Sequence, residues 1–439
     1  MERSTYPLQL QHQELFDLCR HYSHIPGTTL LASAGQYQCS RISYLGLFST
    51  QFFTLTLPHE DPWGALEKSL NFHFQDPYPE WVGYLGYEMG AYADREKQIA
   101  HYNSFMPDLC FYRPACWISY DHTSRQSLLI LDQHASLSLE QQNTVQQLIE
   151  GRTLFPPLLN SQPISYSLDH VSDTPEKYCA KISQIKDLIR AGEVYQVNIS
   201  QQLLLKGRGD PFELYQRLFS YNPTPFSAYI QTDKGTIISC SPERLLAKQG
   251  SRLETRPIKG TAPRGRTLKE DQKNLRELEN STKEKAELMM ITDLMRNDLG
   301  RVSCNGSVIV PEIRRCEAYA NVFHAESVII SESDPSKSVF EILRACFPGG
   351  SITGCPKLSA MQVIQEIEKR PRGIYTGSIG YFCGNGDFDF NIAIRTLWQQ
   401  KDLINLQLGG AIVIDSDSKK EYEETMHKGA SFLNLLQAP

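Results

Sequence analysis

The run Val194-Tyr195-Gln196-Val197-Asn198-Ile199-Ser200-Gln201-Gln202-Leu203 alternates with a period of two, the repeat of a β-strand. Tyr195, Val197 and Ile199 fall on one face, and Gln196, Asn198 and Ser200 on the other. A strand whose second face carries amides and a hydroxyl either faces water or lines a polar cleft. Upstream, Asp173-Thr174-Pro175-Glu176 supplies a capping side chain, a first-turn proline and an acid. Tyr178, Ile182, Ile185 and Ile189 then recur at helical spacing until Gly192 stops the run. Downstream, Phe388–Leu397 shows the strand repeat again. Phe388, Phe390, Ile392 and Ile394 point to a core, with Asp389, Asn391 and Arg395 opposite; Gly384-Asn385-Gly386-Asp387 before it is a hairpin signal. Further strands are expected near 228–231, 236–240, 251–258 and 405–414, with helices near 267–298, 356–369 and 418–436. This is a mixed α+β pattern, not the regular βαβ alternation of a doubly wound sheet. Prolines and polar residues across 151–172 mark a seam between the two parts of the chain.

Composition narrows the class. The 439 residues are 41% hydrophobic, enough to bury a sizeable core. Forty-four basic and fifty acidic residues leave a formal charge of -6, which excludes a nucleic-acid footprint or a polybasic membrane anchor. There is no run of about 18 apolar residues and no signal-peptide pattern at the start. Eleven scattered cysteines without a C-x-x-C pair read as reduced thiols of a cytoplasmic protein. Eleven histidines show no H-E-x-x-H spacing.

Six places carry chemistry-bearing residues, each with an ordinary alternative. Glu287 shares a helical stripe with Met290, Ile291 and Leu294. It is either a surface glutamate paired to Lys283 or a carboxylate facing inward, which must be paired or bound to metal. In the last helix Glu421, Glu424, Lys428, Phe432 and Leu435 fall on one face, either a surface ion pair or a charged end entering a cleft. Two glutamates from separate helices are suitable hard ligands for Mg²⁺. Phe347–Lys357, FPGGSITGCPK, is a glycine-rich loop leading into a helix, suited to an anion or simply a tight turn; it is not a Walker loop. Lys259 lies at a strand end within Arg256–Gly265, RPIKGTAPRG. As a nucleophile it must lose its proton, which costs about 4–5 kcal/mol near pH 7 at an ordinary lysine pKa of about 10.4. Glu243 is otherwise an edge glutamate paired to arginine, and His324 a structural histidine.

Together the strings EVYQVNISQ, NPTPFSAY, SPERLL, RPIKGTAPRG, KAELMMITDLMRNDLGR, PGGSITGCPK, RGIYTGSIGY, IAIRTL, GGAIV and EYEETMHKG resemble the chorismate-utilising enzymes, in that family's order, over roughly 166–439. The first 165 residues resemble it through LLASA, WVGYLGYEMG and MPDL. The resemblance implies two β-sheets packed as a sandwich with helices outside, an N-terminal region over 1–165 and a chorismate-binding catalytic region over 166–439.

Within the family two positions set the chemistry. Gln196 stands where water-using relatives carry a lysine, which points to ammonia. Lys259 stands where anthranilate synthases carry alanine, and P-I-K-G-T resembles the branch that makes 4-amino-4-deoxychorismate through a lysine adduct. The resemblance further implies Glu243 as general acid and His324 as a supporting residue. It implies Glu287 and Glu424 as Mg²⁺ ligands. Gly260, Thr261, Thr353, Tyr375, Arg395, Gly409, Gly410, Ala411 and Lys428 would bind substrate. Ser33, Pro225 and Phe226 resemble a tryptophan pocket, although Ala32 replaces the usual glutamate. No glutaminase is recognisable in the chain, so a separate glutaminase subunit is expected to supply ammonia. An anthranilate synthase component I, and a chorismate- or tryptophan-binding protein without turnover, are the competing readings.

Overall fold

The computed structural model describes residues 3–35, 37–93, 104–152 and 164–437; of the proline-rich seam, 153–163 lie outside them. The strand ladders are all antiparallel and form two halves that share the long strands Ile42–Leu55 and Leu109–Asp121. These two strands pair along their whole length, with a register shift between Ser49 and Gln51. An extra residue of this kind bends a strand, so each can serve both halves.

From the shared strands, the first half continues through Thr29–Ala32, Phe226–Gln231, Thr236–Ser241, Thr396–Gln400, Leu403–Ile412 and Gln196–Arg208. The second half continues through Pro79–Leu85, Ser378–Cys383, Phe388–Asn391, Arg244–Gln249 and Arg252–Arg256 to Val322–Glu332. Strands from the first 165 residues are thus built into both halves.

Three hydrophobic clusters show why the halves stack. Tyr84, Trp117, Ile230, Ile237 and Ile379 form a core drawn from strands of both halves. A second core lies between the first half and the helices His12–Tyr22, Leu139–Ile149, Pro211–Tyr221 and Ser418–Gln437. A third lies between the second half and the helices Pro62–Ser69, Thr282–Gly300 and Val339–Cys346. The fold is the α+β sandwich with helices outside.

Several local expectations meet the structure closely. The capped helix spans Pro175–Arg190, with Thr174 accepting from Lys177 N, and the alternating strand spans Gln196–Arg208. Three others change. The helix expected over 267–298 is two, Leu268–Asn280 and Thr282–Gly300. Ser281 between them is extended and caps the second, while the Arg314 guanidinium also donates to the carbonyls of Ser281 and Leu278 at the junction. The strand expected over 251–258 ends at Arg256 and, past Pro257, resumes as Ile258–Pro263. The strand expected over Phe388–Leu397 breaks after Asn391 and resumes at Thr396, with Arg395 at φ 51° in the break.

Candidate active site

The break and the resumed strand both place functional side chains. Lys259 sits on Ile258–Pro263, and its neighbour Ile258 donates its N–H to the Glu243 carboxylate at 3.3 Å. Glu243 follows the strand Thr236–Ser241 and is buried, 3% exposed. It accepts a 2.6 Å hydrogen bond from Ser351 Oγ of the glycine-rich loop, and its carbonyl accepts from Ile392 N. Thr261 pairs across the ladder with His324, and Thr261 Oγ1 lies 2.9 Å from His324 Nδ1. His324 Nε2 in turn lies 3.5 Å from the Arg395 guanidinium.

A second set converges from the first sheet half. Gly354 and Cys355 pair with Val197 and Gln196, and Asn198 N donates to the Thr353 carbonyl at 2.8 Å. A Cβ on Gly354 would sit 2.1 Å from the Gln196 carbonyl, so only glycine lets the loop meet the strand. The Gln196 amide is fully buried and, among the described residues, neither its nitrogen nor its oxygen is hydrogen-bonded; Asn198 Oδ1 is likewise unpaired among them. Buried polar groups are nearly always satisfied, so these atoms point to an absent polar ligand. Ala411 pairs with Asn198 and Gly409 with Ser200. A Cβ on Gly409 would lie 2.7 Å from Tyr375 Oη; one on Gly410 would lie 3.8 Å from Lys428 Nζ. Lys428 Nζ donates to the Gly409 carbonyl at 3.1 Å and pairs with Glu424 at 2.8 Å.

The two sets meet electrostatically at Lys259. It is half-buried and makes no hydrogen bond or ion pair among the described residues. Burial pulls its amine below the ordinary lysine value; Glu287 opposes the fall and Lys428 adds to it. Burial pushes Glu243 up to about 7. Burial and then Arg395 bring His324 down to about 3, so it is a neutral hydrogen-bonding partner at neutral pH. A carboxyl that holds its proton near neutrality thus adjoins an amine that releases one more easily than usual.

Glu287 lies one turn before buried Ile291 and pairs loosely with Lys283 at 3.8 Å. Burial raises it, and Glu284 and Glu424 add to the rise while Lys259 and Lys283 oppose it. Glu424 is exposed; burial works against its charge, but Lys428 outweighs this and holds it below the ordinary glutamate value. Among the described residues no three His, Cys, Asp or Glu side chains are close enough to hold a metal on their own. Two carboxylates from separate helices that repel one another still fit a divalent cation that takes its remaining ligands from substrate and water.

The tryptophan-pocket residues lie apart from this site. Pro225 and Phe226 line a half-open pocket with Ala32, Ser40, Tyr44, Tyr381 and Asp389, whereas the Ser33 hydroxyl turns to the Ser40 carbonyl. The periodicity reading did not find Ser351, although the Gly-Gly-Ser triplet before a helix was its signal. It also missed Glu284, which only the fold brings beside Glu287 and Lys259.

A sequence profile for chorismate binding enzymes matches residues 32–434. The chain belongs to the chorismate-binding enzyme family. It is 37% identical over 383 residues to aminodeoxychorismate synthase component 1 of Bacillus subtilis, covering 85% of this chain and 80% of that one. To the protein of that name from Escherichia coli it is 38% identical over 362 residues, 81% and 76% of the chains. Anthranilate synthase component 1 of Lactococcus lactis is 36% identical over 360 residues, 81% and 79%. The structure of anthranilate synthase component I from Streptococcus pneumoniae superposes with a TM-score of 0.78 at 27% identity, covering 96% of this chain and 99% of that one. Among the described residues of this chorismate-binding enzyme no helix is long and apolar enough to cross a membrane.

Proposed function

We propose that this chorismate-binding enzyme is an aminodeoxychorismate synthase component I, aminating chorismate at C4 with ammonia from a separate glutaminase subunit. Identity does not decide between this and anthranilate synthesis, since relatives of both names match almost equally. The observation that carries the reading is that Lys259, half-buried and without a hydrogen bond or ion pair among the described residues, follows Ile258, whose N–H bonds the buried Glu243 carboxylate.

The chemistry follows from their positions. The Lys259 amine adds to C2 of chorismate, the ring double bonds shift, and the C4–O bond breaks. Glu243 gives the departing oxygen its proton, so it leaves as water. Ammonia adds at C4, the double bonds return, and the C2–N bond breaks to free Lys259; the proton shed by the new amine returns to Glu243. Gln196, with both amide atoms unpaired among the described residues, orients the ammonia. Arg395, Lys428 and Tyr375, with the backbone of Gly409–Ala411, Gly260 and Thr353, hold the two carboxylates of the substrate, Thr261 fixes His324, and His324 positions the ring. Glu287 and Glu424 would hold Mg²⁺, which when bound offsets the charge of the ring carboxylate. A cytoplasmic site of action accords with eleven unpaired cysteines. The separate cavity at Pro225 and Phe226 would take tryptophan.

The test is Lys259→Ala. Aminodeoxychorismate formation from chorismate and ammonium is expected to fall by at least about a hundredfold, the order lost with an essential nucleophile or general acid. Unchanged kinetics would remove Lys259 from the mechanism.

A further inference from the structure

Arg372 has a fully buried guanidinium, 1% exposed. Its Nε and one terminal nitrogen grip the Glu368 carboxylate at 3.1 and 2.7 Å. The other terminal nitrogen donates to the Ile352 carbonyl at 3.0 Å and to Thr376 Oγ1 at 3.3 Å. The nitrogen facing Glu368 also donates to the Asn198 carbonyl at 2.7 Å. The Tyr87 ring lies 4.7 Å from the guanidinium carbon. The backbone is pinned as well: Arg372 N and Gly373 N donate to Glu88, and Gln407 Nε2 donates to the Arg372 carbonyl.

Four of these partners adjoin residues of the carboxylate-binding set. Ile352 precedes Thr353, Asn198 pairs across the ladder with Ala411, Thr376 follows Tyr375, and Gln407 lies two residues before Gly409. None of them lies on the segment that carries Lys259. A charge this deep is retained only where every donor is satisfied, and here the planar fork meets four chain segments at once.

We infer that Arg372 is a positioning residue: with Glu368 as its counter-ion, it sets the spacing of the segments that hold the substrate carboxylates, while Lys259 stands on a segment that it does not touch. The inference rests on the substrate-binding assignment above, but not on which product forms.

Arg372→Lys keeps the charge beside Glu368 and removes the fork. The readout is chorismate loss, whatever the product, measured in the full-length enzyme with ammonium and Mg²⁺. We expect the KM for chorismate to rise at least tenfold while kcat falls less than threefold. A folded variant in which kcat falls by a larger factor than KM rises, or in which neither changes, overturns the inference. If Arg372→Lys is not recovered folded, Glu368→Gln, which keeps the size and one acceptor, is judged by the same ratio. A wild-type enzyme that turned chorismate into anthranilate would refute the amination reading and leave this test intact.

Discussion

The Ser351 hydroxyl donates to the Glu243 carboxylate at 2.6 Å, joining the glycine-rich loop to the proposed acid. This bond favours the charged form, so it restrains the rise that burial imposes on Glu243. Ser351→Ala should therefore raise the Glu243 pKa further and move the alkaline limb of the kcat/KM profile upward. A loss of about tenfold at neutral pH, about 1.4 kcal/mol, is expected from one charge-assisted bond. A profile with unmoved limbs contradicts the role of Glu243 as acid.

Glu243 also weighs on stability. Folding raises its pKa from 4.5 to about 7, so its contribution is complete below pH 4.5 and lost as pH rises through 7. At pH 8 the buried charge costs about 3 kcal/mol, from about 2.5 units at 1.36 kcal/mol each. Glu243→Gln should raise Tm by a few degrees at pH 8 and by nothing at pH 4.5, while abolishing turnover. Equal shifts at both pH values in thermal melts would contradict this account.

How much of this was legible beforehand depends on whether the cause is local. The strand through Gln196 and the helix from Pro175 are written in periodicity and capping; both start within two residues of expectation, and the strand runs five residues further, to Arg208. The break at Ser281 was not, because Arg314, which stabilises it, lies on another element. Glu326 stands two residues after His324, and its partner Arg256 is 70 positions away. The motif strings named the site residues through resemblance; RGIYTGSIGY begins with Arg372 but could not reveal its role, because its contacts reach Asn198, 174 positions away. Periodicity sees neighbours along one element, and a fully buried ion pair is defined by several.

Magnesium should be needed for turnover and drawn by both helices. Chelation with EDTA is expected to abolish activity, and added Mg²⁺ to restore it. Glu287→Gln should raise the Mg²⁺ concentration for half-maximal rate by about tenfold or more, the scale of a lost carboxylate contact of roughly 1.4 kcal/mol. An unchanged Mg²⁺ dependence in that variant would exclude Glu287 as a ligand.

The cavity at Pro225 and Phe226 offers a separate check. L-Tryptophan should raise the wild-type Tm in a concentration-dependent way, as a ligand that binds only the folded chain does. Ala32→Leu, which enlarges a residue lining this pocket, should remove the shift and leave chorismate turnover in place. A shift that persists in Ala32→Leu would place tryptophan elsewhere.

The central claim is that Lys259 and Glu243 direct ammonia to C4, and product identity tests it most directly. The purified chain is incubated with chorismate, Mg²⁺ and a high concentration of ammonium at mildly alkaline pH, and the products are identified by mass spectrometry. The account predicts an aminated product that keeps the enolpyruvyl group and that an added lyase converts to 4-aminobenzoate. Anthranilate with released pyruvate would contradict it and assign the chain to tryptophan synthesis.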